Sequence, residues 1–279
     1  MTRLPRRRRM GPAGPRRERL RRRMHLLPHL FTMGNLFAGF FAISALLDGA
    51  YDRAAIAIGI GMVLDGLDGA VARLVHTDSA IGVQLDSLAD VVTFGIAPGL
   101  LAFSWGVAEI DLAASPWALH VRRLGWIAAF AFVAACALRL ARFNVMTHDD
   151  ADEPPPAPRH AFIGMPTPTA AGYVAVVVHL FKQPLTAWPW GAAWVAALFL
   201  VAGLMISRTP FPSLKRWIAN PRAPHLKLLF LALLLAAIYY YSEIVLYGLL
   251  VVYLSLTVVL GRRASRVAAP GGELNLPPG

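Results

Sequence analysis

Four aspartates within residues 64–90, LDGLDGAVARLVHTDSAIGVQLDSLAD, have a spacing suited to a metal site on two paired helices. Asp65 and Asp68 are three residues apart, and Asp86 and Asp90 are four apart, so each pair lies on one face of a helix. A turn between the two helices makes them antiparallel. We therefore expect the four carboxylates to converge at one end of the pair.

A cluster of four carboxylates beside a membrane requires positive charge, because the like charges repel and are costly to desolvate. Arg73 alone does not supply enough, and no His or Cys stands in the spacing that zinc requires. Hard divalent cations bind carboxylate oxygens, and Mg²⁺ pairs them with substrate phosphates. The pattern predicts one or two Mg²⁺ or Mn²⁺ ions, and two ions about 4 Å apart would clamp a phosphoryl group.

Long apolar segments surround the aspartates. The chain of 279 residues is 57% hydrophobic and 15% charged, with a mean hydropathy of +0.53, which is typical of an integral membrane protein. A spanning helix needs about 20 mostly apolar residues, and no alternating barrel pattern is present. We predict an all-α polytopic bundle of about eight spans: residues 27–48, 54–76, 85–108, 124–146, 167–184, 190–207, 226–241 and 243–261.

Positive charge is concentrated at the N-terminus, where residues 1–23 contain eleven Arg and one Glu. Positive residues stay in the cytoplasm, so we interpret this tail as a topology signal. Contact with anionic headgroups is a second interpretation, and nucleic acid is not an expected partner, because no reader domain follows. The apolar run at 26–47 is too long for a signal-peptide core. We expect an inner-membrane protein with both termini and the aspartates on the cytoplasmic side.

The glycines near the aspartates suggest close approach of a ligand. Gly66 and Gly69 leave the helix surface bare beside Asp68, and Gly82 allows the next helix to pack closely. For Gly59, Gly61 and Gly106 helix packing is the preferred interpretation. The single cysteine, Cys136, is expected to pack as a small apolar residue.

The motif resembles the signature of the CDP-alcohol phosphatidyltransferases. All eight fixed positions match at the right spacing, namely Asp65, Asp68, Gly69, Ala72, Arg73, Gly82, Asp86 and Asp90. The stretches LPHLFTMGNLFAGFFAI, LDSLADVVTFGIAPG, ALRLARFNV, FIGMPTPTAAG and LMISRTPFPSLK are similar to those of bacterial phosphatidylserine synthases. The resemblance covers roughly residues 27–260 and implies a six-helix catalytic core.

The resemblance implies transfer of a phosphatidyl group from CDP-diacylglycerol to the hydroxyl of L-serine, with release of CMP. It assigns Asp65, Asp68, Asp86 and Asp90 as ligands of two divalent metals and Asp90 also as the general base. It assigns CDP-lipid binding to Asp65, Gly69, Ala72, Arg73 and Gly82. Membrane lipids and a second copy in a homodimer are the other expected partners.

Two further assignments follow from the expected substrates. Asn35, a polar residue in the first apolar segment, is placed on the nucleotide side, with a helix–helix hydrogen bond as the alternative. Serine carries a carboxylate that needs a cation, which Arg139 and Arg142 could supply beside Asn144. The alternative for these two arginines is an anchor at the cytoplasmic surface.

We divide the chain into an Arg-rich disordered cytoplasmic tail at 1–24, a transmembrane phosphatidyltransferase domain at 25–262 and a disordered tail at 263–279. Two alternatives to serine transfer stay open. A sibling enzyme would use another acceptor, such as glycerol phosphate, inositol phosphate or choline. A cation transporter would be expected to carry carboxylates near mid-membrane in several helices or broken helices in matched halves, whereas here they cluster at one end of two consecutive helices.

Overall fold

The structure, a computed structural model, describes residues 15–75, 80–149, 162–207, 210–211, 240–242, 244–249 and 251–252. For residues 15–28, 72–75, 80, 146–149, 162–163 and 210–211 it describes the backbone alone.

The described chain is a bundle of α-helices, which confirms the predicted all-α polytopic class. The helices are α1 (Pro15–Leu47), α2 (Tyr51–Val75), α3 (Ala80–Asp90), α4 (Ala97–Phe103), α5 (Pro116–Asp149), α6 (Thr167–Phe181) and α7 (Trp188–Ile206). Two π-helical segments, Val91–Ile96 and Ser104–Ala108, join α3 to α4 and extend α4. Two short strands, β1 (Phe162–Ile163) and β2 (Pro210–Phe211), pair antiparallel.

Five stretches are long and apolar enough to cross a membrane: His29–Leu47, Tyr51–Val71, Ile81–Ala108, Pro116–Val145 and Trp188–Ile206. They correspond to five of the predicted spans. The predicted span at 167–184, the fifth in chain order, is the 15-residue helix α6. At about 1.5 Å per residue this helix is shorter than the hydrocarbon core of about 30 Å. Of the last two predicted spans, only residues 240–242, 244–249 and 251–252 are described, and these are helical.

The N-terminal boundary differs from the prediction. Helix α1 begins at Pro15, so residues 15–24 are helical, whereas the sequence analysis placed them in a disordered tail. Arg, Leu and Glu are good helix formers, and proline is tolerated in the first turn of a helix. The expected disorder at 1–14 and 263–279 lies outside the described residues.

The third span, Ile81–Ala108, is the centre of the bundle. It is 61% buried, whereas the other four spans are 33–39% buried. Trp105 in this span packs edge-on against Trp194 of α7, with ring centroids 5.3 Å apart. Trp194 Nε1 donates a hydrogen bond to the carbonyl oxygen of Ala102 at 2.9 Å. A Cβ atom at Gly106 would collide with the Trp194 ring, so the predicted packing role of Gly106 is confirmed.

A polar contact joins three segments at the end of the bundle opposite the aspartates. His179 of α6 bonds through Nδ1 to Asp52 Oδ1 at 2.5 Å and through Nε2 to Ser242 Oγ at 2.8 Å. The chain beyond α7 is thereby fastened to α2 and α6. In an apolar surrounding such a hydrogen-bonded contact resists separation, because the freed polar groups would lack partners.

Thr93, in the first π-helical segment, is the point where α1, α2 and the central span meet. Its hydroxyl donates to the backbone oxygen of Asn35 at 2.8 Å. A Cβ atom at Gly61 would lie 2.5 Å from Thr93 Cγ2, and one at Gly39 would collide with the same side chain. Packing is thus confirmed for Gly61, whereas a Cβ at Gly59 meets nothing within 4 Å, so no packing neighbour supports that prediction.

We expect Gly61→Ala to lower the thermal denaturation midpoint of the protein in detergent, because overpacking a tight contact costs about 1–3 kcal/mol. Gly59→Ala, two residues away on the same helix, is the matched control and should leave the midpoint unchanged or raise it slightly. Equal midpoints for the two variants would contradict the packing account of Thr93.

Candidate active site

Helices α2 and α3 bring three of the four aspartates to one point. A carboxylate oxygen from each of Asp65, Asp86 and Asp90 lies within 4.8 Å of the others. Asp65 lies in the second half of α2, and the other two lie on α3. Three of the four carboxylates that were expected to converge therefore do so, and Asp90 is only 8% exposed.

Asp68 lies next to this group and is 7% exposed. Its Oδ2 accepts a hydrogen bond from the hydroxyl of Thr32 on α1. Asp68 is three residues after Asp65 on α2, so the two side chains lie on the same face of the helix. The four carboxylates thus form one acidic centre, which we call the Asp cluster.

Asn35 of α1 is fully buried and faces the Asp cluster. Its Nδ2 donates a hydrogen bond to Asp90 Oδ1 at 3.0 Å. This is the helix–helix hydrogen bond that the sequence analysis gave as the alternative to a nucleotide contact. Asn35 Oδ1 is buried and accepts no hydrogen bond from the described residues.

Helix α1 therefore supports two of the aspartates. Thr32 and Asn35 are three residues apart, so one face of α1 presents both side chains to the cluster. Hydrogen bonds to carboxylates that bind a metal fix the direction of their oxygens. Thr32 is not among the site residues predicted from the sequence, although two polar residues three apart in an apolar helix are a recognisable signal.

The Asp cluster fits a hard divalent cation. Its side chains offer carboxylate oxygens, which are the ligands that Mg²⁺ and Mn²⁺ prefer. The carboxylates are buried or half-buried at the end of an apolar bundle, where their mutual repulsion is screened less than in water. A bound cation would offset that repulsion, as the sequence predicts.

The remaining predicted CDP-lipid residues lie beside the cluster on α2 and α3. Gly69 follows Asp68 and is half-buried, and Gly82 is half-buried near the start of α3. The side chains of Ala72 and Arg73 lie outside the described residues. A Cβ atom added at Gly66 would meet nothing within 4 Å, so α2 presents open space at this position.

The C-terminal half of α5 borders the cluster. Asn144 Nδ2 donates to Ser87 Oγ at 2.9 Å, and Ser87 directly follows Asp86. Arg139 and Arg142 are half-buried on the same helix. The three residues predicted for serine therefore belong to a helix that contacts α3 beside the cluster.

Comparison with known proteins agrees with this geometry. The family model described as CDP-alcohol phosphatidyltransferase matches residues 25–207, which include the whole Asp cluster, Thr32, Asn35 and the described part of α5. The chain belongs to the CDP-alcohol phosphatidyltransferase family. The family match ends at Ser207, directly after α7, so the helical residues from 240 onward lie beyond the part shared with the family model.

Several similar proteins carry one name, CDP-diacylglycerol--serine O-phosphatidyltransferase. The one from Helicobacter pylori is 33% identical over 211 residues, covering 75% of this chain and 81% of that protein. The Bacillus subtilis protein is 34% identical over 197 residues, covering 71% of this chain and 96% of its own length. The Mycobacterium leprae protein is 33% identical over 222 residues, with 78% and 68% covered.

The hydrogen bond from the Thr32 hydroxyl to Asp68 should affect the affinity of the Asp cluster for metal. Thr32→Val removes the hydroxyl at constant shape, and we expect it to weaken Mn²⁺ binding about 10–100-fold, the usual effect of losing a hydrogen bond to a metal ligand. Thr32→Ser keeps the hydroxyl and should bind Mn²⁺ nearly as the parent does. Calorimetric Mn²⁺ titration of the purified protein measures both, and equal affinities in the two variants would contradict the positioning role.

Proposed function

We propose that the protein transfers the phosphatidyl group of CDP-diacylglycerol to the hydroxyl of L-serine, giving phosphatidylserine and CMP. The Asp cluster carries this proposal, because its carboxylates, three of which converge within 4.8 Å, suit divalent cations that bind a phosphoryl group. The names of the relatives support serine as the acceptor.

In the proposed reaction the serine Oγ attacks the phosphorus that bears the diacylglycerol, and the bond from that phosphorus to CMP breaks. Asp90 takes the proton of the serine hydroxyl. Asn35 holds Asp90 Oδ1, which leaves the other carboxylate oxygen to receive the proton. Divalent cations bound by Asp65, Asp68, Asp86 and Asp90 would neutralise charge on the phosphates and favour departure of CMP.

The substrate pockets are assigned by position in the motif. Asp65, Gly69, Ala72, Arg73 and Gly82 would line the CDP-lipid pocket on α2 and α3. A guanidinium pairs well with phosphate, so Arg73 is assigned to the pyrophosphate. We assign the serine carboxylate to Arg139 and Arg142 with Asn144 beside them, because a cation is needed there and α5 borders the Asp cluster.

We further propose that the Asp cluster faces the cytoplasm, where serine is supplied, and that the membrane is the inner one. Both termini then lie inside, in agreement with the Arg-rich start of the chain. The catalytic domain is proposed to span residues 25–262. A homodimer is proposed as the working assembly, as the family resemblance implies.

The acceptor is tested by CMP release. Purified protein in detergent receives CDP-diacylglycerol and Mn²⁺ or Mg²⁺, with serine, glycerol 3-phosphate, inositol, inositol phosphate or choline offered separately. We expect release with serine alone and its loss on addition of EDTA. Release with another alcohol would overturn serine as the acceptor, and absence of release from folded protein with every acceptor would overturn phosphatidyl transfer.

Asp86 should be indispensable, because it is one of the three aspartates whose oxygens converge. We expect Asp86→Ala to abolish CMP release, a loss of at least about a thousandfold if metal binding fails. Asp48→Ala, in the exposed turn after α1, is the control and should retain full turnover. Retained turnover in purified Asp86→Ala would contradict the metal-ligand role.

Arg142 should affect serine rather than the lipid. We expect Arg142→Ala to raise the KM for serine about tenfold or more, because one charge-assisted hydrogen bond contributes about 1.5–3 kcal/mol. The KM for CDP-diacylglycerol should change little. Equal changes in the two KM values, measured by CMP release, would rule out a serine-carboxylate site at Arg142.

A further inference from the structure

An apolar groove with a volume of about 410 Å³ runs between α1 and α2. The lining residues recur every three to four positions on α1 and again on α2. The groove therefore follows one face of each helix. The lining residues are Gly34, Phe37, Ala38, Phe41, Arg53, Ile56, Ala57, Ile60 and Leu64.

The groove opens to the surroundings of the bundle. Phe37 is 67% exposed and Ile60 is 53% exposed, and both stand on its rim, whereas Ala38 and Ala57 are buried at its floor. The two stretches that carry the groove, His29–Leu47 and Tyr51–Val71, are long and apolar enough to cross a membrane. The open side of the groove therefore faces the region that lipid chains occupy around a spanning helix.

Arg53 places a positive charge at one end of the otherwise apolar groove. It lies in the first turn of α2, at the end of the bundle away from the Asp cluster, and its side chain is exposed. The neighbouring Asp52 bonds to His179. Among the residues that the structure describes, no carboxylate lies within ion-pair distance of the Arg53 guanidinium.

The length of the groove matches one leaflet. Arg53 and Leu64 are eleven residues apart, which corresponds to about 16 Å of helix, and one leaflet contributes about 15 Å of hydrocarbon. A lipid with its phosphate at Arg53 therefore extends its chain to Leu64. A lipid with its phosphate at the Asp cluster would instead bring its chain end against a guanidinium, which is unfavourable.

We propose that this groove binds an anionic phospholipid of the leaflet away from the Asp cluster, with its phosphate on Arg53 and one acyl chain over Ile56 and Ile60. Bulk lipid chains are as apolar as the groove, so hydrophobicity alone gives no preference for a particular lipid. The preference comes from pairing of Arg53 with phosphate. The proposal does not depend on which alcohol the Asp cluster uses.

The test is native mass spectrometry of the full chain in detergent, titrated with phosphatidylglycerol and, separately, phosphatidylcholine. We expect one phosphatidylglycerol to bind in preference to phosphatidylcholine. Arg53→Ala should weaken that binding roughly tenfold, as expected for loss of a charge-assisted contact. Ile60→Trp, which fills the groove from its exposed rim, should weaken both lipids. Arg122→Ala is the control, because Arg122 is an exposed arginine at the same end of the bundle.

Equal phosphatidylglycerol binding by the parent and Arg53→Ala, or an equal loss in Arg122→Ala, would overturn the proposal. A further arm adds CDP-diacylglycerol. If it displaces the bound phosphatidylglycerol from the parent, the groove holds the substrate chain, and the distal-leaflet assignment is wrong. Retention of phosphatidylglycerol in the presence of CDP-diacylglycerol supports two separate lipid positions. CMP release, measured in parallel, reports separately on the proposed enzyme activity.

Discussion

The repulsion among four carboxylates at one end of an apolar bundle is the interaction on which the rest of the structure depends. Three of them share a space in which their oxygens lie within 4.8 Å of one another, and at least two are nearly fully buried. Such an arrangement is stable only with neutralising charge and with hydrogen bonds that fix the carboxylates. The helices α1, α2 and α3 are arranged to provide those hydrogen bonds and to leave room for the charge.

The contact between α1 and the central span holds in place the residues that support the Asp cluster. Thr93 bonds to the backbone of Asn35, and Asn35 bonds to Asp90, so one chain of contacts joins the first π-helical segment to the proposed base. Glycines at 39 and 61 permit this approach, because any Cβ there would collide with Thr93. The apolar groove between α1 and α2 lies on the outer side of the same contact.

Much of this arrangement could be predicted from the sequence. Helical periodicity places Asp65 with Asp68 and Asp86 with Asp90, and the length of the apolar segments gives the order of the helices. Spacing does not reveal which neighbour a polar side chain meets. The bond from Thr32 to Asp68 and the turn of Asn35 toward Asp90 depend on how α1 packs, which is a tertiary property. The helical start at Pro15 was missed because clustered arginines and prolines were given more weight than helix propensity.

The central claim is that the Asp cluster is a divalent-metal site for phosphoryl chemistry. Its most direct test is a structure of the full chain determined with Mn²⁺, in which anomalous scattering locates the ion. The account predicts an anomalous peak within about 2.0–2.5 Å of carboxylate oxygens of Asp65, Asp86 and Asp90. A Mn²⁺-saturated, catalytically active protein with no anomalous peak among these aspartates would contradict it.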